Sequence, residues 1–193
     1  MTVGEIAREA EVAQATVFNY FPTKEDLFYS RLEAFEERLL EAIRGRSPGQ
    51  SVLAAFGEFL LGQGGVLAMR SPGGDGEATE QVRTVTRIVT ESPALLARER
   101  QILDAYAKGL AELIAEETGE DAVVCRVVAN ALLGLHRALI DRVRERALAG
   151  DRASRIRKDI QADARQAIRQ LELGLRDFGL RAASVTAPPA TSS

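Results

Sequence analysis

The sequence of 193 residues contains one cysteine, one histidine, no tryptophan and no apolar run of the length that spans a bilayer. A single cysteine excludes an intrachain disulfide framework and a zinc site with several cysteine ligands. The N-terminus also lacks a charged region followed by an apolar stretch, so we expect a protein that is neither exported nor membrane-spanning. The expected location is the cytoplasm.

A strong excess of charge of either sign is also missing, because 28 acidic and 25 basic residues give a net charge of −3. A chain so close to neutrality does not attract nucleic acid through its overall charge, and any DNA contact must therefore be local. Apolar residues make up 46% of the chain and charged residues 27%, which is typical of a soluble globular protein.

Alanine, leucine, arginine and glutamate are abundant and β-branched runs are few, which predicts an all-α fold without a sheet. Capping signals and helical spacing predict helices at about 3–9, 14–21, 24–44, 48–61, 77–91, 93–118, 121–149 and 152–178. A loop is expected at 71–76, and Asp151 is the expected N-cap of the last helix. We expect a DNA-binding helix-turn-helix domain at 1–45, a ligand-binding and dimerisation domain at 46–181 and a disordered tail at 182–193.

The stretch ATVFNYFPTKEDLF begins at Ala15 and combines clustered aromatic residues with a complete lack of carboxylates between Glu11 and Glu25. Two short helices with a tight turn between them are typical of a helix-turn-helix, whose second helix enters the major groove. A negative side chain on that helix would repel the phosphates, which explains the missing carboxylates. The alternative is that the aromatic residues only pack a small helical subdomain, and spacing alone does not distinguish the two.

On the second helix, Val17 and Phe21 lie four residues apart and are expected to face the core. The polar side chains then project outward, where amides pair with adenine edges and a threonine contacts a base or a thymine methyl group. These outward residues are Gln14, Thr16, Asn19 and Tyr20.

The run TVGEIAREAEVAQATVFNYFPTKEDLF resembles the helix-turn-helix of the tetracycline-repressor (TetR/AcrR) family of bacterial transcription regulators. About 45 residues carry the resemblance; the remainder matches the family only in length and helical pattern. The resemblance implies a dimeric regulator, usually a repressor, that binds a pseudo-palindromic double-stranded DNA operator. It also implies a variable C-terminal domain that binds a small apolar or amphipathic effector and alters DNA affinity.

By position, the resemblance implies base-edge contacts from Gln14, Ala15, Thr16 and Asn19. It further implies phosphate contacts from Thr2, Tyr20 and Lys24. The chain departs from the family pattern at Phe18, where tyrosine is common, at Ala13, which lacks a capping side chain, and at Glu11, where the family often has glycine.

Members of the family begin with a further helix that covers the apolar side of the helix-turn-helix, and the sequence has no residues for it before Thr2. Without that cover, an exposed apolar patch would form from Ile6, Ala10, Val17, Phe21 and Phe28. We therefore expect that the sequence is truncated at its N-terminus. The alternative to a ligand-responsive DNA-binding regulator is a dimeric helical ligand-binding protein that has lost DNA binding.

The C-terminal region offers candidate effector contacts with an apolar character and a few polar atoms. These candidates are Phe56, Phe59, Leu60, Met69, Val89, Ile102, Tyr106, Cys125 and His136. Helical spacing is equally typical of an ordinary core, and the alternative for His136 is a buried histidine whose hydrogen bonds are satisfied.

The last two helices predict a dimer. The helix at 121–149 is apolar on two sides, with Val124, Val128, Ala131 and Leu135 on one and Cys125, Leu132, His136 and Leu139 on the other. A helix with two apolar sides needs two partners, so we expect a homodimer through a four-helix bundle.

Catalysis is not expected, because the sequence shows no pair of nucleophile and base, no set of metal ligands and no phosphate-binding glycine motif. No cofactor or metal ion is expected for the same reason.

Overall fold

The structure, a computed structural model, describes residues 3–11, 13–62 and 73–174. These residues form eight α-helices and, within those ranges, no strand, which confirms the all-α prediction. The helices are α1 (Val3–Glu9), α2 (Gln14–Tyr20), α3 (Lys24–Arg44), α4 (Val52–Leu61), α5 (Gly74–Thr90), α6 (Pro93–Thr118), α7 (Ala122–Leu148) and α8 (Ala153–Glu172).

Local capping signals set the helix ends that the sequence predicted most sharply. The Asp26 amide donates to Thr23 Oγ1 at 3.1 Å and the Thr23 amide donates to Asp26 Oδ2 at 2.9 Å, which completes a capping box at the start of α3. Ser92 Oγ accepts from the Leu95 amide at 3.3 Å at the start of α6. Gly119 ends α6 in the left-handed conformation, with φ 68°.

Two predicted boundaries are wrong. α4 begins at Val52 with Ser51 as its N-cap, because the residues from Ser47 to Gln50 instead form a turn closed by a 2.9 Å bond from the Gln50 amide to the Ser47 carbonyl. The predicted loop at 71–76 is helical from Gly74 onward, since α5 begins there. The rest of that loop lies outside the described residues.

The predicted N-cap of α8 is also wrong, because Asp151 is held by the guanidinium of Arg146. Two side chains of α5 cap the helix from outside: Thr79 Oγ1 accepts from the Ala153 amide at 2.9 Å and Asp75 Oδ1 accepts from the Ser154 amide at 2.7 Å. α8 ends at Glu172, before the predicted end, and the predicted tail lies outside the described residues.

The main core lies where α7 packs on α6 and α8, with α4 and α5 packed against these helices. α3 joins this core through Phe35, Leu39 and Ile43, so it runs from the short helices α1 and α2 into the larger helical body. α1 packs chiefly on α2. The predicted boundary near residue 45 stays a prediction.

Among the described residues, one helix, α7, is long and apolar enough to cross a membrane by length and composition alone. Core helices of soluble proteins pass the same test. Its inner side is packed in the core at Cys125, Leu132 and Leu139, so this one helix is weak support for a membrane span.

Candidate functional site

The second short helix, α2, presents an uncharged polar surface. Ala15, Thr16, Asn19 and Tyr20 are exposed, and Tyr20 keeps 77% of its surface. We name these four residues the reading face. Their exposure meets a requirement of base or phosphate contact, and the contacts themselves stay predictions.

Two of the predicted DNA contacts fall outside what the structure describes. Thr2 lies outside the described residues, and so does the side chain of Gln14, although its backbone begins α2. Lys24 is exposed at the start of α3, with its Nζ 3.7 Å from Glu25 Oε1.

The turn before α2 carries backbone strain. Glu11 takes φ 54°, in the left-handed region where glycine is favoured, and its amide donates to the Arg8 carbonyl at 3.2 Å. Glycine, which is common in the family at this position, would adopt this conformation without strain, whereas the side chain of Glu11 disfavours it.

The start of α3 is tied to α6 by an ion pair. Arg98 Nε donates to Asp26 Oδ1 at 2.6 Å, and Asp26 is also the carboxylate of the capping box. Burial by itself raises the pKa of the Asp26 carboxyl, but the hydrogen bonds from Thr23 and the charge of Arg98 outweigh it, and the pKa lies below its ordinary value.

α3 and α6 run in the same direction, and residues that pair between them are separated by a nearly constant number of positions along the chain. The pairs Asp26 with Arg98, Tyr29 with Glu99 and Arg46 with Glu117 are separated by 72, 70 and 71 residues along the chain. The last pair lies just beyond the end of α3, where Arg46 Nη1 also donates to the Ile43 carbonyl at 2.7 Å. α3 is thus fixed to α6 near both of its ends.

Three helices meet at a buried set of polar side chains that we name the polar junction: Tyr29 of α3, Glu99 of α6 and Arg144 of α7. Arg144 donates both guanidinium nitrogens to Glu99, with Nη1 3.0 Å from Oε1. The Tyr29 hydroxyl lies 3.1 Å from Glu99 Oε2 and 3.2 Å from the Leu95 carbonyl. Burial, with the Glu99 carboxylate beside it, raises the pKa of Tyr29, so the hydroxyl keeps its proton.

Sequence reasoning missed the polar junction. A signal was present, because Glu99 falls four residues after Leu95, four before Leu103 and seven before Tyr106, on the apolar side of α6. A carboxylate on such a stripe indicates a buried charge that needs a partner. The partner, 45 residues away in α7, is not identifiable from spacing.

An aromatic cluster lies further along α3. Phe35 stacks on His136 of α7 with ring centroids 4.6 Å apart, packs edge-on to Phe59 of α4 at 5.2 Å and stacks on Tyr106 of α6 at 6.1 Å. His136 is buried, and burial lowers its pKa to about 4. The cluster therefore brings three of the predicted effector contacts together around a fourth residue, Phe35, that was not among them.

The other predicted effector contacts do not lie together, because they belong to two different hydrophobic clusters or fall outside the described residues. Phe56, Leu60 and Cys125 belong to the main core, where the Cys125 thiol donates to the Glu120 carbonyl at 3.7 Å. Val89 packs instead in a second cluster with Tyr29 and Leu95, under the polar junction. Ile102 is half-buried and packs against both clusters, while Met69 lies outside the described residues.

α7 carries an exposed apolar stripe on the side away from the core. Val123 and Val127 keep 68% and 62% of their surface, and Val124 and Val128 are exposed beside them. Small residues continue this stripe at Ala131, Gly134 and Ala138, all exposed. The predicted two-sidedness of α7 is confirmed, although Leu135 proves to be buried.

α8 contributes no comparable stripe within its described residues. Ile156, Ile160, Ala164 and Ile168 are buried in the chain's own core, and Leu171 is half-buried against it. Of these two helices, α7 therefore carries the larger apolar surface open to a partner. No group of three or more histidine, cysteine or carboxylate side chains that would hold a metal ion occurs among residues 3–11, 13–62 and 73–174.

Comparison with known proteins finds two family models along the chain. Residues 1–30 match the model of bacterial regulatory proteins of the tetR family, and residues 71–176 match the model of the MftR C-terminal domain. The chain is 31% identical over 121 residues to the HTH-type transcriptional regulator TcmR of Streptomyces glaucescens. That alignment covers 62% of the chain and 52% of the relative, so the chain spans about half the length of the curated relative it matches.

Proposed function

The chain belongs to the tetR family of bacterial regulatory proteins, and from this we propose that it binds a pseudo-palindromic operator as a homodimer and releases it when a small effector binds. The observation that carries the proposal is the reading face: an exposed, uncharged surface on the second helix of a segment matched by the tetR model. Repression follows if the operator overlaps a promoter.

The reading face suits the major groove chemically. Asn19 offers an amide that donates to and accepts from adenine, and Thr16 offers a hydroxyl together with a methyl group. Tyr20 and Lys24 extend from the end of α2 and the start of α3, where they would contact phosphates on either side of the reading helix. No carboxylate lies on α2 to repel the duplex.

DNA binding is tested with a duplex that the wild-type chain isolates from a random-sequence pool. Asn19→Ala should weaken binding to that duplex about tenfold and relax the preference at one base pair in each half-site. Lys24→Ala should weaken binding to all sequences alike and reduce the salt dependence. Glu116→Ala, an exposed change near the end of α6, is the control.

Failure to isolate any duplex would refute the proposal and favour the alternative, a dimeric helical protein without DNA binding. Extension of the chain upstream with a further helix belongs in the same experiment. If the extended and unextended chains bind equally well, the reading face needs no further helix to bind DNA.

The exposed stripe of α7 supports the dimer. Single exposed valines are common, but four on adjacent turns followed by small residues form a continuous apolar patch that a second α7 would cover. Two-fold pairing would set the two reading helices about 34 to 36 Å apart, or one further turn of DNA.

Sedimentation of a matched pair of variants tests this dimer. Val127→Glu places a charge in the middle of the stripe and should leave a folded monomer at micromolar concentration. Val85→Glu makes the same change at an exposed valine of α5 and should leave the dimer intact. A monomeric wild-type chain, or a dimeric Val127→Glu chain, would contradict an interface on α7.

The aromatic cluster supports an effector site. A planar apolar molecule would replace contacts of Phe35 with Phe59, Tyr106 and His136, and Phe35 lies on the helix that follows α2. Binding would therefore favour a different position of α3 and shift the population away from the DNA-binding state. We assign no catalytic role to the cluster.

A panel of apolar and amphipathic molecules, titrated against the fluorescent duplex, tests the response. His136 is the only histidine, so its imidazole gives a single NMR signal that reports occupancy of the cluster directly. A molecule that releases DNA without changing that signal would place the effector site elsewhere. A molecule that changes the signal without releasing DNA would refute coupling for that molecule.

A further inference from the structure

The polar junction combines two features, a largely buried ion pair and a contact among three helices. It contains a full ion pair, between Glu99 and Arg144, whose side chains are only 10% and 15% exposed. It also joins three different helices, because the Tyr29 hydroxyl bonds to the same carboxylate. Both carboxylate oxygens of Glu99 and both terminal guanidinium nitrogens of Arg144 are engaged.

Stability alone does not explain such a pair. Removing two charges from water is costly, and well-packed apolar residues of similar volume generally give an equally stable core. What the ion pair adds is geometry, since a planar guanidinium fork meets a carboxylate in one orientation whereas apolar side chains slide past one another. The junction thus fixes the relative position of its helices.

The helices that the junction joins are the ones expected to position the reading face for DNA. Tyr29 lies five residues after Lys24, roughly 8 Å along α3 from its first residue. Arg144 lies on α7, the helix with the exposed apolar stripe. The junction is therefore the polar contact that joins the start of α3, through α6, to the helix expected to meet the partner.

A second contact at the same end of α3 supports this role. Arg98 bonds to Asp26, and the next residue of α6, Glu99, bonds to Tyr29. Adjacent residues of α6 therefore hold successive turns of α3. Asp26 belongs to the capping box, and its position therefore sets where α3 begins. Lys24 lies in that first turn.

We propose that Tyr29, Glu99 and Arg144 are positioning residues for DNA binding, which hold the start of α3 at the angle to α7 that the operator requires. The inference rests on the proposed function, since it assigns these residues to the reading of DNA. With the junction removed, α3 samples a wider range of angles and only a fraction of the molecules is competent to bind. If that fraction falls to about a tenth, the apparent affinity falls about tenfold.

The decisive variant replaces the ion pair with apolar residues, Glu99→Leu together with Arg144→Met. We expect its thermal midpoint to stay within a few degrees of wild type, because an apolar pair of similar volume packs as well as the ions. We expect its affinity for the duplex isolated by the wild-type chain to fall about tenfold. If the ion pair only stabilised the fold, the affinity for the duplex would not fall while the thermal midpoint stayed near its wild-type value.

A matched control uses the other ion pair between α6 and α7. Arg137 Nη2 lies 3.3 Å from Asp104 Oδ1, and both side chains are well exposed. This pair joins the same two helices at the surface, and less strongly. The double variant Asp104→Asn/Arg137→Gln should therefore leave the affinity for the duplex unchanged. Wild-type affinity in the folded Glu99→Leu/Arg144→Met chain would overturn the proposal.

A second variant covers the case in which the double replacement does not fold. Tyr29→Phe removes only the hydroxyl from the junction and keeps the ring in its cluster with Val89 and Leu95. We expect a folded chain whose duplex affinity is lowered about threefold to tenfold. An unchanged affinity would overturn the role of Tyr29 and with it the three-residue proposal.

A measurement without DNA separates failure of this inference from failure of the proposed function. Spin labels at Lys24→Cys and Lys158→Cys report the distance from the start of α3 to α8 in labelled chains diluted with unlabelled protein. Cys125 is fully buried, so we expect it to stay unlabelled. The distance distribution should be narrow in wild type and broader in Tyr29→Phe. Distance distributions of equal width in the two chains would overturn the inference even if the wild-type chain binds DNA. A broader distribution in Tyr29→Phe, together with a wild-type chain that isolates no duplex, would support the positioning role and refute the DNA-binding proposal.

Discussion

Phe35 and His136 stack with their ring planes 24° apart and their centroids separated by 4.6 Å, and this contact joins α3 to α7 in the interior of the chain. His136 Nδ1 is buried and has no hydrogen-bond partner in the part of the chain that the structure describes. A buried imidazole without an anionic partner is disfavoured in its charged form, which is why burial lowers the pKa to about 4.

The stability of the chain should therefore fall as the pH is lowered from 7 to 5. Histidine in the unfolded chain has a pKa of about 6.5, so the unfolded state takes up a proton first and gains stability as the pH falls. The contribution of His136 is fully present above that pKa and is lost progressively toward pH 4. At pH 5 the loss should be roughly 2 kcal/mol, measured by urea unfolding.

His136→Gln provides the comparison, because glutamine does not titrate. Its unfolding free energy should change much less than that of wild type over the same interval, whatever its absolute value. Identical pH dependence in the two chains would mean that the imidazole is not protected from protonation by burial.

Glu11→Gly should stabilise the turn between α1 and α2. Glu11 adopts φ 54°, where a side chain costs about 1 to 2 kcal/mol relative to the right-handed region and glycine does not pay this cost. Hydrogen exchange of the α2 amides should slow by a corresponding free energy of about 1 kcal/mol.

Two effects are combined in that substitution, because it also removes a carboxylate near the reading face. Glu11→Gln removes the charge and keeps the strained backbone. Exchange in Glu11→Gln should therefore stay at the wild-type rate, and an equal slowing in both variants would assign the gain to charge.

Gly57 and Gly109 should respond to alanine in opposite directions. A Cβ at either position would meet one atom at 3.1 Å: Ile168 Cδ1 in the case of Gly57, and Glu36 Oε1 in the case of Gly109. Ile168 is buried against α4, with two further atoms within 3.6 Å, whereas a carboxylate rotates away.

Gly57→Ala should accordingly destabilise the chain by about 1 kcal/mol, since overpacking outweighs the gain in helix propensity. Gly109→Ala should stabilise it by up to about 1 kcal/mol, the propensity difference between the two residues. Thermal unfolding of both variants measures the signs. Stabilisation by Gly57→Ala would show that Ile168 repacks without cost.

Asp75→Ala should loosen the start of α8 although it lies on α5. Asp75 accepts from both the amide and the hydroxyl of Ser154, and Thr79 accepts from the Ala153 amide beside it. Loss of a capping side chain costs about 1 kcal/mol, and the Ser154 amide should exchange faster by that amount.

Asp151→Asn is the informative partner for Asp75→Ala, because Asp151 is the cap that sequence alone predicts. Its carboxylate bonds to Arg146, so the change should weaken the connection between α7 and α8 and leave the Ser154 amide protected. Faster exchange of Ser154 in Asp151→Asn alone would restore the sequence-based prediction.

Most helix ends were predictable because their signals are local. Thr23 with Asp26, Ser92 with Pro93, and Gly119 all act within four residues of the end they define. The start of α4 is an exception: the sequence predicted it at residue 48, but the turn closed at Gln50 leaves Ser51 as the N-cap.

The sequence by itself determined the all-α class, the family and the uncharged outer side of α2, because each is written in composition or in spacing over a few turns. Tertiary structure decided which carboxylates cap or pair with which helices: Asp75 with α8, Asp26 with Arg98, and Glu99 with Arg144. The partners in these contacts lie 45 to 79 residues apart. Their meeting depends on how helices pack, and helical periodicity specifies which side of a helix is buried without specifying what it is buried against.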